Sequence, residues 1–115
     1  MIKFFGLFAP IPGITSVQFR DYYEQHHAPL VHSFFPMFSG YRRNYIDVSR
    51  SEFRNGPRPA FEVLTEVWLN SAEDYAAFRA RLAMPEVLAA IRMDEANFLH
   101  TQRSQMLLVD ECVTL

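Results

Sequence analysis

The chain has 115 residues, of which 50% are hydrophobic and 15% are aromatic. This composition excludes a disordered chain, which needs few aromatic residues and a high net charge. The formal net charge of -2 lacks the basic excess of nucleic-acid-binding domains, so we expect no nucleic-acid partner.

The length predicts one domain, spanning residues 1–115. A single cysteine, Cys112, excludes an internal disulfide and is typical of a protein from a reducing compartment. The apolar start of the chain is interrupted by Pro10 and Pro12 and is too short to span a bilayer. We therefore expect a cytoplasmic protein that does not interact with membranes.

The first half of the chain predicts a strand, a helix and a second strand. Residues 2–9 form a dense apolar run, which predicts a buried strand. Thr15 and Gln18 have the spacing of a capping box, which predicts that a helix begins there. Pro29 lacks an N–H group and clashes one turn back, so we expect it to break or kink this helix. Residues 40–48, rich in Tyr and Arg, predict the second strand.

The second half predicts a strand, a helix and a last strand. Residues 61–69 predict a strand whose odd-numbered side chains share one face and whose even-numbered side chains share the other. Ser71 is typical of an N-cap, and Pro85 predicts a break and a restart of the helix that follows. Residues 104–113 predict the last strand.

The predicted order βαββαβ is the ferredoxin-like pattern, an α+β fold. It implies a four-stranded antiparallel sheet with helices on one face, which leaves the other face to be covered. The high aromatic content favours face-to-face dimerisation, so we expect a homodimer through the sheet face, which is a dimeric α+β barrel.

His27 is the first candidate for a functional side chain. It follows Phe19 and Tyr23 at helical spacing, on an aromatic stripe of the first predicted helix. An imidazole titrates near neutral pH, and burial among aromatic rings favours the neutral form that a general base needs. The alternative is a core histidine whose N–H group is satisfied by a neighbouring oxygen. His26 points about 100° away from its neighbour, so the two rings cannot hold one metal ion, and we expect no metal site.

Further candidates are side chains that could contact a substrate beside His27: Tyr23, His26, Tyr41, Glu66 and Trp68. A tyrosine at the edge of an apolar pocket can orient a ligand oxygen, although plain aromatic packing explains the same residue. A carboxylate in an enclosed pocket would have a raised pKa and could assist proton transfer. The alternative for Glu66 is a rim position paired with Arg42 or Arg43.

The long loop at residues 49–60 carries Arg50, Arg54 and Arg58, spaced by four. These arginines either close over an anionic group of a substrate or form a solvated surface. The sequence has no glycine-rich phosphate loop, no nucleophile elbow and no dinucleotide fingerprint, so we expect no cofactor.

Residues 19–31 resemble the EthD-like family, whose first helix carries the signature F-x-x-[YH]-W-x-x-x-H-x-P-L. The matching residues are Phe19, Tyr22, His27, Pro29 and Leu30, and Tyr23 stands where the family usually has tryptophan. Residues 40–44, 66–71 and 94–98 resemble further segments of the family in the same order.

The resemblance implies a dimeric α+β barrel with a pocket between helices and sheet for a small organic molecule. It matches His27 to the family histidine, and Tyr41 to a tyrosine of isomerase-like relatives. The wider superfamily includes muconolactone-type isomerases, polyketide cyclases, dehydratases, decarboxylases and cofactor-free monooxygenases, and EthD itself is associated with the degradation of an alkyl ether.

We therefore expect a small cofactor-independent protein that binds an aromatic, lactone or polyketide-like molecule. His27 would move a proton in an isomerisation, dehydration or decarboxylation, Tyr41 would orient an oxygen, and Tyr23 and Trp68 would form walls of the pocket. Two alternatives remain: a non-catalytic accessory protein that binds a ligand for a degradation pathway, and a monooxygenase that needs no cofactor.

Overall fold

A computed structural model describes residues 1–115. Its four strands form one antiparallel sheet in the order β2–β3–β1–β4. The strands are β1 at Ile2–Phe8, β2 at Gly40–Tyr45, β3 at Val63–Leu69 and β4 at Gln105–Val109. The helices are α1 at Ser16–Tyr22, α2 at Ala28–Phe34, α3 at Ala72–Leu82 and α4 at Pro85–Glu95. The predicted ferredoxin-like α+β fold is confirmed.

All four strands are shorter than the sequence predicts, the first by one residue because it ends at Phe8. The second strand ends at Tyr45, because the chain turns into a short 3₁₀ helix at Val48–Arg50. The third strand begins at Val63, and the last covers only Gln105–Val109. The pairing still continues beyond the second strand, since the Ile46 N–H group donates to the Glu62 carbonyl at 3.0 Å.

Thr15 caps the first helix in the predicted way. Its Oγ1 accepts a hydrogen bond from the Gln18 backbone N–H at 3.1 Å, and its own N–H donates to Gln18 Oε1 at 2.9 Å. This reciprocal pair satisfies two of the donors that a helix leaves free at its start. The cap fixes where α1 begins, and so fixes which side chains face the sheet.

Pro29 does not break the helix; of the two predicted effects, a break or a kink, the structure shows a local distortion of the preceding turn. A π-helical turn at Tyr23–His27 joins α1 to α2, with the Ala28 N–H group donating to the Tyr23 carbonyl. Pro29 falls in the first turn of α2, where its missing N–H group is not needed. The wider π turn also relieves the clash of the proline ring with the preceding turn. The helical stretch therefore continues to Phe34.

The core lies between the helices and one face of the sheet. On β3, the odd-numbered residues Val63, Thr65, Val67 and Leu69 are buried on this face. Their partners in the register place Phe4 and Gly6 of β1 beside them, whereas Met106 and Leu108 of β4 are exposed. The helices therefore cover β1 and β3 and leave β4 open to solvent.

The opposite face of the sheet, here called the outer face, has no helix packed against it. Strand alternation and register assign to it the apolar side chains of Phe5, Leu7, Leu64, Trp68, Leu107 and Val109. Lys3 on this face pairs with two carboxylates: its Nζ lies 3.0 Å from Glu66 Oε2 and also contacts Glu111. An apolar strip of this kind, bounded by charged groups, is typical of a surface that meets a partner.

The Thr15 cap yields a stability prediction. We expect Thr15→Ala to lower the free energy of unfolding by about 1 kcal/mol, because one helix donor then loses its acceptor. Thr15→Ser keeps the hydroxyl and serves as the matched control, with little change expected. Urea denaturation of the three proteins measures the difference, and an equal loss in both variants would contradict a role for the hydroxyl.

Candidate functional site

An apolar cavity of about 160 Å³ lies between the sheet and the helices. Its walls are mainly aromatic and aliphatic and include Phe4, Phe35, Phe38, Val67 and Ile91. Its polar lining residues are Tyr23, His27, Tyr41, Thr65, Arg92 and Glu95. A cavity of about 150 Å³ in another protein is large enough for benzene, so this one suits a molecule of about one ring.

A larger cleft of about 600 Å³ lies on the surface, between the start of α1 and the loop after β2. It contains two of the loop arginines, each beside a carboxylate. Arg50 Nε lies 2.7 Å from Asp47 Oδ2, and Arg58 Nη2 lies 3.6 Å from Glu62 Oε1. With 84% of its side chain exposed, Arg50 matches the solvated alternative better than a closed anion site. We therefore take the smaller cavity as the candidate site.

His27 is 3% exposed and lines this cavity from the π-helical turn. Its Nδ1 lies 2.8 Å from Asp94 Oδ2, which in the neutral ring makes Nδ1 the donor and leaves Nε2 with a free lone pair. Nε2 makes no hydrogen bond within the chain, and no fully enclosed side-chain nitrogen or oxygen lacks a partner. The unpaired nitrogen is therefore not fully enclosed by protein atoms.

Burial decides the protonation state of His27. Desolvation lowers the pKa of its ring below the ordinary value of 6.5, and the hydrogen bond and negative charge of Asp94 oppose this shift only in part. The imidazole is therefore neutral near neutral pH. A neutral ring with one nitrogen held by a carboxylate and the other open is able to accept a proton.

Asp94 accepts a second hydrogen bond, from the Tyr22 hydroxyl at 2.6 Å. That hydroxyl in turn accepts one from Asn97 Nδ2 at 2.8 Å. Burial and the nearby Asp94 carboxylate raise the pKa of Tyr22, so it remains a donor. These bonds hold the carboxylate in place beside His27. Asp94 lies in the family-like segment 94–98, but the sequence interpretation did not identify it as a site residue.

Three hydroxyl groups form a chain along the cavity wall. The Tyr41 hydroxyl donates to the Tyr23 hydroxyl at 3.2 Å, and Tyr23 shares a hydrogen bond of 2.7 Å with Thr65 Oγ1. Burial raises the pKa of Tyr23 to about 12 and also raises that of Tyr41, so both stay protonated. Three hydroxyl hydrogens serve two bonds, so one donor remains for a ligand oxygen.

Arg43 holds Tyr41 in position. Its guanidinium lies 4.7 Å from the Tyr41 ring and donates to the Tyr41 carbonyl at 3.1 Å. It also forms a bidentate pair with Glu24, with distances of 3.0 and 2.8 Å, which lowers the pKa of that carboxyl. The pair joins the π-helical turn to β2, next to the hydroxyl chain.

Glu95 also lines the cavity, and the sequence interpretation missed it. Its side chain is 17% exposed, and its carboxyl accepts no hydrogen bond within the chain; the nearest cation is Arg92 Nη1 at 4.0 Å. Burial raises the pKa of Glu95. Its spacing in the sequence could have identified it, because Leu88, Ile91 and Glu95 lie on one stripe of α4 and the first two are apolar.

Three predicted substrate-contacting residues lie outside the cavity. His26 is exposed, and its ring packs on Tyr22 at 4.7 Å between centroids. Glu66 and Trp68 point to the outer face, because strand alternation sends Thr65 and Val67 toward the helices. The prediction that Glu66 and Trp68 line the pocket is therefore wrong. The alternative prediction paired Glu66 with Arg42 or Arg43, whereas the structure pairs it with Lys3.

The Trp68 ring is packed on the outer face rather than free to meet a ligand. The Arg42 guanidinium lies 4.8 Å from its centroid, and a methyl group on Gly40 would overlap the indole. Of the predicted site residues, the cavity therefore brings together Tyr23, His27 and Tyr41.

The EthD domain family matches residues 11–102, which is most of the chain. The chain belongs to the EthD family. No curated protein is similar to it in sequence. The structure resembles an EthD family protein from Bacillus halodurans, with a TM-score of 0.66, 17% identity, and coverage of 97% of this chain and 100% of that one.

Two other solved structures share the fold of this EthD domain. A protein from Arabidopsis thaliana has a TM-score of 0.63 at 13% identity, covering 100% of this chain and 99% of its own. A dimeric protein of unknown function and ferredoxin-like fold from Bacteroides fragilis has a TM-score of 0.57 at 10% identity, covering 96% and 95%. No helix in the chain has the length and apolar character needed to cross a membrane.

The contact between His27 and Asp94 predicts a shift in titration. In Asp94→Asn we expect the pKa of His27 to fall further below 6.5, because the carboxylate that raises it is gone. Nitrogen-detected NMR titration of the imidazole measures this shift. Asp21→Asn, at an exposed position of α1, is the control and leaves the titration unchanged. An unchanged His27 titration in Asp94→Asn would mean that the two side chains are not paired in solution.

Proposed function

We propose that this EthD-family protein binds a small, mainly apolar organic molecule of about one ring in the cavity and catalyses proton transfer on it. Aromatic, lactone and polyketide-like compounds are the candidate classes. The observation that carries the proposal is the open Nε2 of a neutral, carboxylate-held His27 at the wall of an apolar cavity. No bound metal or cofactor is required for this chemistry.

The proposed reaction begins with His27 Nε2 taking a proton from the ligand. The Asp94 carboxylate stabilises the imidazolium that forms, because its acceptor oxygen is already 2.8 Å from Nδ1. Negative charge that develops on a ligand oxygen is stabilised by the spare donor of the Tyr41–Tyr23–Thr65 chain. Return of the proton to a different ligand atom completes an isomerisation. In a dehydration the C–O bond to a ligand hydroxyl group breaks instead, and that group takes the proton from His27 Nε2 and leaves as water.

Convergence of polar groups favours an enzyme over a simple binding protein. A carrier of an apolar metabolite needs only an apolar cavity. The cavity of this protein has both a proton acceptor and a hydroxyl donor among its lining residues. Position also favours the proposal, since π-helical turns occur frequently at functional sites and the one here carries both Tyr23 and His27.

We also propose that two copies associate through the outer face. It carries the exposed Leu107 and Val109 of β4 together with Phe5 and Trp68. A second sheet would cover these apolar side chains. The Bacteroides fragilis protein of the same fold is described as dimeric, which supports this arrangement.

Two expectations about context extend the proposal. The family match over residues 11–102 supports one EthD domain across residues 1–115. The free, exposed Cys112 supports a reducing location such as the cytoplasm, where thiols persist. We also propose that the protein takes part in catabolism.

Proton transfer is tested with α-angelica lactone, a one-ring lactone whose double bond moves by a proton shift. In deuterated buffer we expect the protein to accelerate isomerisation with uptake of deuterium, followed by NMR. His27→Gln should lower this rate by about 10²–10⁴-fold, the usual contribution of a positioned general base. The matched control is His26→Gln, which changes the exposed neighbour and leaves the rate intact.

Other outcomes separate the alternatives. Equal turnover by the wild type and His27→Gln would contradict the assigned base. Binding of the lactone without turnover would favour the accessory binding protein. Consumption of oxygen with phenol in the absence of added cofactor would favour the monooxygenase.

The dimer is tested by a charge on the outer face. Leu107→Asp places a carboxylate beside Phe5 and should convert dimer to monomer, because a buried unpaired charge is costly. Light scattering after size-exclusion chromatography gives the mass of each species. Val17→Asp, at a 69% exposed position of α1, is the control and should remain dimeric. A Leu107→Asp protein with the mass of the wild type would place the interface elsewhere.

A further inference from the structure

We propose that Glu95 is a ligand-binding residue of the cavity and that it selects uncharged ligands over carboxylates. This inference rests on the proposed function, since it concerns the ligand of the same cavity. A bound molecule would then touch a second side chain, on α4, and the site would reject ligands that carry a carboxylate.

The geometry singles out the Glu95 carboxyl. It lines an apolar cavity and accepts no hydrogen bond within the chain, although a carboxylate offers about four acceptor positions. No fully enclosed side-chain oxygen lacks a partner, so the oxygens of this carboxyl are not sealed in protein and remain available to a ligand in the cavity. Leu88 and Ile91, on the same stripe of α4, supply only apolar wall.

Neighbouring charged groups do not neutralise the negative charge of the Glu95 carboxylate. Arg92 approaches Glu95 only to 4.0 Å and has 64% of its side chain exposed, so water screens the pair. Asp94, on the adjacent position, adds further negative charge and is already occupied by His27 and Tyr22. The other titratable groups on the cavity wall, His27, Tyr23 and Tyr41, are uncharged near neutral pH.

Charge selection follows from these surroundings. An anionic ligand would place its carboxylate in a poorly solvated space beside Glu95, where like charges repel strongly. A neutral amide or phenol would instead donate a hydrogen bond to the same carboxylate. The oxygen of such a ligand would accept a hydrogen bond from the spare hydroxyl donor of the Tyr41–Tyr23–Thr65 chain.

Benzamide and benzoate test the selection, because they have nearly the same shape and differ in charge. Calorimetric titration near neutral pH should show that the wild type binds benzamide more tightly than benzoate. In Glu95→Gln we expect the dissociation constant of benzoate divided by that of benzamide to fall by about tenfold or more, mainly because benzoate binds more tightly. Glu86→Gln, at an exposed position at the start of α4, should keep the wild-type ratio.

The outcomes separate the two proposals. If both probes bind and Glu95→Gln keeps the wild-type ratio, the role of Glu95 is wrong and the cavity remains a binding site. If neither probe binds to any variant or perturbs the NMR signals of the His27 ring, the proposed ligand site fails and the Glu95 inference fails with it.

A measurement without ligand distinguishes a functional from a structural Glu95. Because burial raises its pKa above 4.5, the folded state holds its proton more tightly, and stability falls as the pH rises through that pKa. Glu95→Gln should therefore raise the urea midpoint near neutral pH and remove this fall. A lower midpoint would show that Glu95 stabilises the fold through Arg92, which would overturn the inference.

Discussion

The hydrogen bond between His27 and Asp94 is the interaction on which the candidate site depends. It joins the π-helical turn to α4 at a distance of 2.8 Å. A hydrogen bond to a charged group contributes about 1.5–3 kcal/mol, but its larger effect is geometric. The carboxylate selects the tautomer with hydrogen on Nδ1, and only that tautomer leaves Nε2 as an acceptor. Without Asp94 the same ring would be an ordinary buried histidine.

Pro29 and the π turn determine whether that ring reaches the cavity at all. A proline two residues after His27 disturbs the hydrogen bonds of the preceding turn, and the chain adapts by adding one residue to that turn. Tyr23 and His27 are the first and last residues of this wider turn, and their ring centroids lie 5.4 Å apart. Both side chains reach the same cavity wall because the helix widens rather than breaks.

The fold was predictable because its signals are local. Alternation along β3, the capping box at Thr15 and the restart at Pro85 each depend on a few adjacent residues. The site depends on contacts between distant segments, such as Asp94 with His27, which no local pattern specifies. The sequence interpretation assigns Glu66 and Trp68 to the pocket, although strand alternation puts them on the opposite face of the sheet from the buried Val67. The more apolar face of a strand is the one that helices cover, and that rule would have corrected the assignment.

The composition of the cavity wall argues that stability alone did not select it. Thr65 lies between Val63 and Val67 on the most buried strand, and Glu95 continues an apolar stripe of α4. A valine or leucine at either position would fill space and avoid the cost of burying a polar group. Proteins accept such local costs mainly at functional sites. The same low polarity that makes these groups costly would strengthen each hydrogen bond that the proposed ligand forms with them, and this is how the wall would discriminate between ligands.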